Sequence, residues 1–159
     1  MKITVIAVGK VKEIYFRNAV EEYAKRISKF ADFRLIEVAD EKTPESSSKQ
    51  EQRMILEKEG KRILEKIPAD SYLFATAIEG KQFTSTEFAG MLEKLTVDGN
   101  SSFTFLIGGS LGLMEELKEM AKQKVSFSKM TFPHQLMRVI LSEQIYRAFK
   151  IINHEPYHK

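Results

Sequence analysis

Apolar runs at residues 3–8, 72–78 and 103–107, with a more mixed one at 33–38, recur along the chain and are separated by stretches long enough for a helix. A strand with one wet face alternates apolar and polar residues, whereas a strand covered on both faces of a parallel sheet reads as a continuous apolar run. Between the first two runs, Ile14, Ala19, Val20, Tyr23, Ile27 and Phe30 fall largely on one helical face, leaving Glu21, Glu22, Lys25 and Arg26 to the other. A charged helical stretch follows at 49–66. Thr84, Ser85 and Thr86 offer caps for a further helix that ends before the Asp98-Gly99-Asn100 turn. Strands alternating with helices predict an α/β fold with a mostly parallel sheet. No repeat or linker interrupts the pattern, so residues 1–159 read as one domain.

Composition narrows the chemistry. With 159 residues, 43% of them hydrophobic, the chain is long enough for one real core. The absence of cysteine removes disulfides, thiolate zinc sites and cysteine nucleophiles, and three histidines leave little for a metal cage, so no metal is expected. MKITVIAVGK has a short apolar run that leads into a helix start rather than a cleavage site, and it reads as a first strand. No run approaches the roughly 20 apolar residues that span a bilayer. The expectation is a cytoplasmic protein without a membrane partner.

The net charge of +3 is small, but it is not spread evenly. Residues 1–112 carry 17 basic and 17 acidic side chains, and residues 113–159 carry 8 and 5, so the whole excess (8 − 5 = 3) lies in the last third. A basic surface beside a site suits a polyanion such as RNA, and a solvated helix face is the alternative.

Two segments resist assignment to ordinary scaffold. Gly108-Gly109-Ser110-Leu111-Gly112 follows a strand and is expected to open a helix, where free N–H groups favour an anion or a polar ligand edge. Its spacing is not G-x-G-x-x-G, which argues against a dinucleotide fingerprint. SFSKMTFPH at 126–134 suits neither helix nor strand. Its aromatic and methionine side chains, hydroxyls and free amides would suit an adenine ring, although a strand end followed by a helix start would also account for it. The last helix, about 134–152, is apolar around much of its circumference. It needs cover on more than one side, from a second subunit in a two-fold dimer or from elsewhere in the chain.

IGGSLG at 107–112, SFSKMTFPHQLMRV at 126–139, EQIYRAFKI at 143–151 and the terminal PYHK, together with MKITVIAVGK and the EGK turn at 79–81, resemble the RlmH family. These are pseudouridine N3-methyltransferases of large-subunit (23S) ribosomal RNA within the SPOUT class. The resemblance spans essentially the whole chain. It implies a SPOUT-type α/β knot, with a mostly parallel sheet and a C-terminal trefoil knot, in a homodimer that acts on the assembled ribosome.

It also implies S-adenosyl-L-methionine as methyl donor, held by three loops. Carried over by position, the cofactor contacts are Thr76, then Gly108, Gly109 and Gly112, then Phe127, Ser128, Lys129, Met130, Thr131 and Phe132. Thr76, Ala77 and Leu111 depart from the family's usual residues. For the transfer itself, the resemblance points to Arg138 or Lys159 as a cation for the developing imide anion, His158 as proton acceptor and Tyr157 as a partner for the base. A tail that orders on RNA is expected, as against a frayed terminus. His134 reads as a helix-start residue. The rival functions are a non-enzymatic RNA-binding or ribosome-associated factor with the same fold, and a nucleotide-binding module of ordinary doubly wound topology.

Overall fold

The computed structural model describes residues 1–159. In chain order the elements are β1 (Lys2–Val8), α1 (Ile14–Ile27), β2 (Asp32–Val38), α2 (Lys49–Leu64), β3 (Tyr72–Gln82), α3 (Ser85–Val97), β4 (Ser102–Ile107), α4 (Glu115–Met120), β5 (Gln123–Ser126) and α5 (His134–Ile152). The strands form one sheet in the order β2-β1-β4-β3-β5, and every neighbouring pair is parallel. The loops that follow all five strands therefore leave from the same edge of the sheet, the edge where open α/β folds place ligands.

Apolar side chains explain the layering. In β1, Ile3, Val5 and Ala7 enter one core with Phe74, Phe103, Phe105, Leu141 and Ile145. Ile6 and Val8 enter a second core with Val38, Ile63, Leu106, Leu113 and Leu117. Helices α1, α3 and α5 cover the first face, and α2 and α4 the second. Each fully buried large apolar side chain contributes about 1.5–3 kcal/mol, so the wholly buried rings of Phe74, Phe103 and Phe105 anchor the inner strands.

Two expectations change at this level. The third strand does not stop at 78: β3 runs to Gln82, and its register against β5 jumps between Thr76 and Lys81. Glu79-Gly80-Lys81 is thus a bulge within a strand, which turn-forming residues at a strand's end resemble in sequence. Gly80 is required there, because a Cβ would lie 2.8 Å from backbone atoms of Lys124 and Val125.

The glycine segment does not open a helix directly either. Gly109 and Gly112 form an isolated bridge, and α4 begins only at Glu115 and is six residues long. Helix α5, finally, receives cover from within the chain, since α1 and α3 flank it and its buried residues include Leu141, Ile145, Ala148 and Phe149. Leu136, Val139, Ile140 and Gln144 remain half-exposed on its outer side.

Candidate functional site: a cleft at the ends of three strands

A cleft of about 840 Å³ lies where β4 and β5 end and β3 bulges. That volume is in the range of small-molecule sites. Thr76, Gly108, Gly109, Gly112, Phe127, Ser128, Met130, Thr131 and Phe132 all line it, so three segments distant in sequence meet there. Lys129 does not line it and is exposed.

Each wall has a local cause. Gly108 has no room for a side chain, since a Cβ would lie 2.2 Å from the carbonyl carbon of Gly112 and 2.3 Å from its oxygen. Gly112 adopts φ +82°, a left-handed conformation that other residues take only at a cost. The turn is closed by the Gly112 amide, which donates to the Gly109 carbonyl at 3.0 Å. Backbone therefore faces the cleft directly.

Opposite, the Ser126 hydroxyl donates to the Ser128 carbonyl at 3.0 Å, and the Met130 amide donates to Ser128 Oγ at 2.9 Å. These bonds satisfy a loop that belongs to no regular element. Met130 is largely exposed at 74%. Thr76 donates its hydroxyl to the Leu106 carbonyl at 2.7 Å, so that oxygen is engaged in the sheet and the residue meets the cleft by its remaining atoms.

His134 and Arg138 sit where α5 approaches β1. Arg138 is fully buried: Nη1 donates to Glu37 Oε2 and Nη2 to the Val8 carbonyl, both at 2.6 Å, while Nε has no partner. Glu37 Oε2 also accepts from the Val11 amide at 2.7 Å. Arg138 thus clamps α5 to the ends of β1 and β2, and it does not line the cleft. Burial lowers its pKa from the usual guanidinium value, against the opposing charge of Glu37.

His134 does line the cleft, which its role as a helix-start residue did not suggest. Its Nδ1 lies 3.4 Å from Arg138 Nη2. Arginine only donates, so Nδ1 accepts and the neutral ring carries its proton on Nε2. Burial, aided by the Arg138 charge, lowers its pKa.

The tail lies elsewhere, against α5. Tyr157 donates its hydroxyl to Glu143 Oε1 at 3.0 Å, its ring meets Tyr146 edge-on with centroids 4.9 Å apart, and the Arg147 guanidinium stacks 4.6 Å above it. His158 Nδ1 lies 3.3 Å from Arg147 Nη1. Burial and the hydrogen bonds of Tyr157 push its phenol well above its ordinary pKa, so it stays protonated and donates. None of Tyr157, His158 and Lys159 lines the cleft of the same chain. A rise of about 1.5 Å per residue sets Arg147 roughly 15 Å along α5 from Met137, which does line it.

Sequence reasoning missed three charged groups near the cleft. Lys118 and Glu79 both line it and are bonded to each other at 2.7 Å. Nothing in their spacing announces this, because one belongs to a six-residue helix and the other to a bulge. Glu59 is buried behind the glycine turn, where a Cβ on Gly109 would lie 3.2 Å from its Oε2. Its Oε1 accepts from the Glu41 amide at 3.0 Å, its Oε2 has no partner, and burial raises its pKa. Here a signal existed: Ile55, Glu59 and Ile63 recur at helical spacing and put Glu59 on an apolar face.

Comparison with known proteins agrees with this geometry. The family described as "Predicted SPOUT methyltransferase" matches residues 1–158. A relative from Methanococcus maripaludis (strain C5) is 57% identical over 159 residues, the full length of both chains. The "Ribosomal RNA large subunit methyltransferase H" proteins of Streptococcus uberis and Clostridium beijerinckii are 53% and 52% identical, again over the whole of both chains. Among solved structures, a methyltransferase of Bordetella pertussis Tohama I shares the fold with a TM-score of 0.57 at 14% identity, covering 92% of this chain and 95% of its own. A methylase family protein of Haemophilus influenzae Rd KW20 does so with a TM-score of 0.52 at 13% identity, covering 99% and 70%. A cleft formed at the ends of adjacent parallel strands and full-length likeness at this level of identity lead to one conclusion: the chain belongs to the SPOUT methyltransferase family and, within it, to the RlmH group.

Proposed function

We propose that the protein is an S-adenosylmethionine-dependent methyltransferase that modifies N3 of a pseudouridine in large-subunit ribosomal RNA, acting on the assembled ribosome in the cytoplasm. The observation that carries this reading is the meeting of three separate loops in one cleft, in a chain related over its full length to proteins named as ribosomal RNA methyltransferases. Residues 1–159 are read as a single domain. A trefoil knot formed by the C-terminal segment belongs to the same proposal.

The cleft suits the cofactor. Bare backbone at Gly108 and Gly112 lets a flat ligand approach main-chain groups, and Phe127 and Phe132 give apolar contact. Bound there, S-adenosylmethionine supplies an electrophilic methyl group on a sulfonium. The chain's own residues must then position the base and handle the N3 proton.

In the pose described, Arg147 donates to His158 Nδ1, so the neutral ring presents an Nε2–H donor. His158 can take the N3 proton only after parting from Arg147. Tyr157, held as a phenol, donates or stacks, and Lys159 supplies the cation beside the developing imide anion. Arg138 acts through position, by fixing the start of α5.

Because the tail and the cleft of one chain lie apart, the reading includes a homodimer in which the tail of one subunit reaches the cleft of the other. The half-exposed side of α5 at Leu136, Val139 and Ile140 is the surface offered for it. The test is transfer of a labelled methyl group to ribosomes that lack the mark, with the modified position mapped, alongside sedimentation of the protein. Methyl on N3 of a large-subunit pseudouridine is expected. Binding to such ribosomes without transfer would replace the enzyme by an RNA-binding factor of the same fold.

A further inference from the structure

Glu79 and Lys118 are the only residues with formal charge at neutral pH among those lining the cleft. They come from different elements, the bulge of β3 and the helix α4. Lys118 Nζ lies 2.7 Å from Glu79 Oε1 and 2.7 Å from Glu115 Oε2, and its side chain is only 17% exposed. The two carboxylates raise the Lys118 pKa against burial, and the bond to Lys118 holds Glu79 below the usual carboxylate range, so the group is fully ionised at neutral pH. One cation between two anions, with the Lys124 charge also bearing on Glu79, makes a charged cluster at one end of a cleft whose other walls are apolar side chains, hydroxyls and backbone.

A ligand that fits such an end carries both signs of charge close together. S-adenosylmethionine does: its amino-acid end is a zwitterion, and the sulfonium makes the whole molecule +1. We propose that Glu79 and Lys118 form the subsite for the amino-acid end of the methyl donor, Glu79 accepting from the ligand's ammonium and Lys118 donating to its carboxylate. The inference rests on the function proposed above. Lys118 can exchange Glu115, the outer partner at 61% side-chain exposure, for the ligand carboxylate without losing its charge balance. Glu79, at 56%, has a free oxygen for the ammonium.

Equilibrium titration of the full chain with four probes tests this. They are S-adenosylmethionine, S-adenosylhomocysteine, decarboxylated S-adenosylmethionine, and 5′-methylthioadenosine, which lacks the amino-acid end. In Lys118→Met the two carboxylate-bearing probes should bind about tenfold more weakly, the scale of one lost charged hydrogen bond, while the decarboxylated probe and methylthioadenosine change by less than about twofold. In Glu79→Gln all three probes with an ammonium should weaken and methylthioadenosine should not. Unchanged affinity of the variants for S-adenosylhomocysteine would overturn the assignment. So would a parallel loss of methylthioadenosine, which would make the pair a scaffold of the cleft. If the unaltered protein binds none of the four, the proposed cofactor falls and this inference with it, whereas normal binding that is indifferent to the variants sinks the subsite alone.

Discussion

The cleft and the tail are assembled in opposite ways. The cleft is part of the sheet: its walls are strand ends, its backbone contacts are fixed by Gly108 and Gly112, and one chain suffices to form it. The tail rests on the outer side of α5 through Glu143, Tyr146 and Arg147, with groups able to donate, stack or exchange a proton but no cleft of its own. Under the proposed function, binding of the cofactor and chemistry on RNA are therefore separable, and substitutions should divide between them.

The most severe division comes from deleting residues 157–159. Methyl transfer should fall by at least about a hundredfold, the low end of what a positioned acid or base contributes, while calorimetric cofactor affinity and sedimenting mass stay as they were. Full turnover in that truncation would return the chemistry to the cleft. The converse change, Gly108→Val, drives a side chain into the Gly112 backbone. It should abolish cofactor binding and leave the fluorescence of the docked Tyr157 unaltered; retained affinity would show that the glycine turn is not a cofactor wall.

Arg138→Met probes what both regions share. It leaves Glu37 without its cation and the Val8 carbonyl without its donor, and should lower unfolding free energy in urea by about 3 kcal/mol. A loss of activity at full stability would instead give Arg138 a direct part in the reaction. Tyr157→Phe removes one hydrogen bond to a carboxylate, a loss of about 1 kcal/mol, and hydrogen exchange should rise in the tail alone. The smallest effect concerns pH. Because His134 has a lowered pKa when folded, its contribution to stability is complete above about 6.5, and is lost as pH falls through the folded value, where the unfolded chain binds the extra proton. His134→Asn should flatten the stability curve across that window in pH-dependent thermal unfolding.

The sheet was legible because the apolar runs at residues 3–8 and 103–107 call for cover on both faces. The cleft was legible through a motif resemblance, since nothing in GGSLG or SFSKMTFPH alone requires the two to meet. The bulge at Gly80 was hidden, because a turn and a bulge use the same residues and differ only in what passes beside them. Arg138 misled for a related reason. Arginine is seldom fully buried, so its place beside a site suggested a free cation, whereas Glu37 and Val8, 101 and 130 residues away in the chain, had already claimed its guanidinium.

That clamp has a consequence for how the chain comes into being. During synthesis β1 emerges before β2 and can pair with it early, yet its other edge waits for β4, and the Val8 carbonyl waits for Arg138, 130 residues later. At about 5–20 residues per second, the unpaired edge of β1 persists for on the order of ten seconds. The nascent chain thus exposes one of its most apolar strands until β4 has followed, and α5, made later still, is the helix that locks β1 in place.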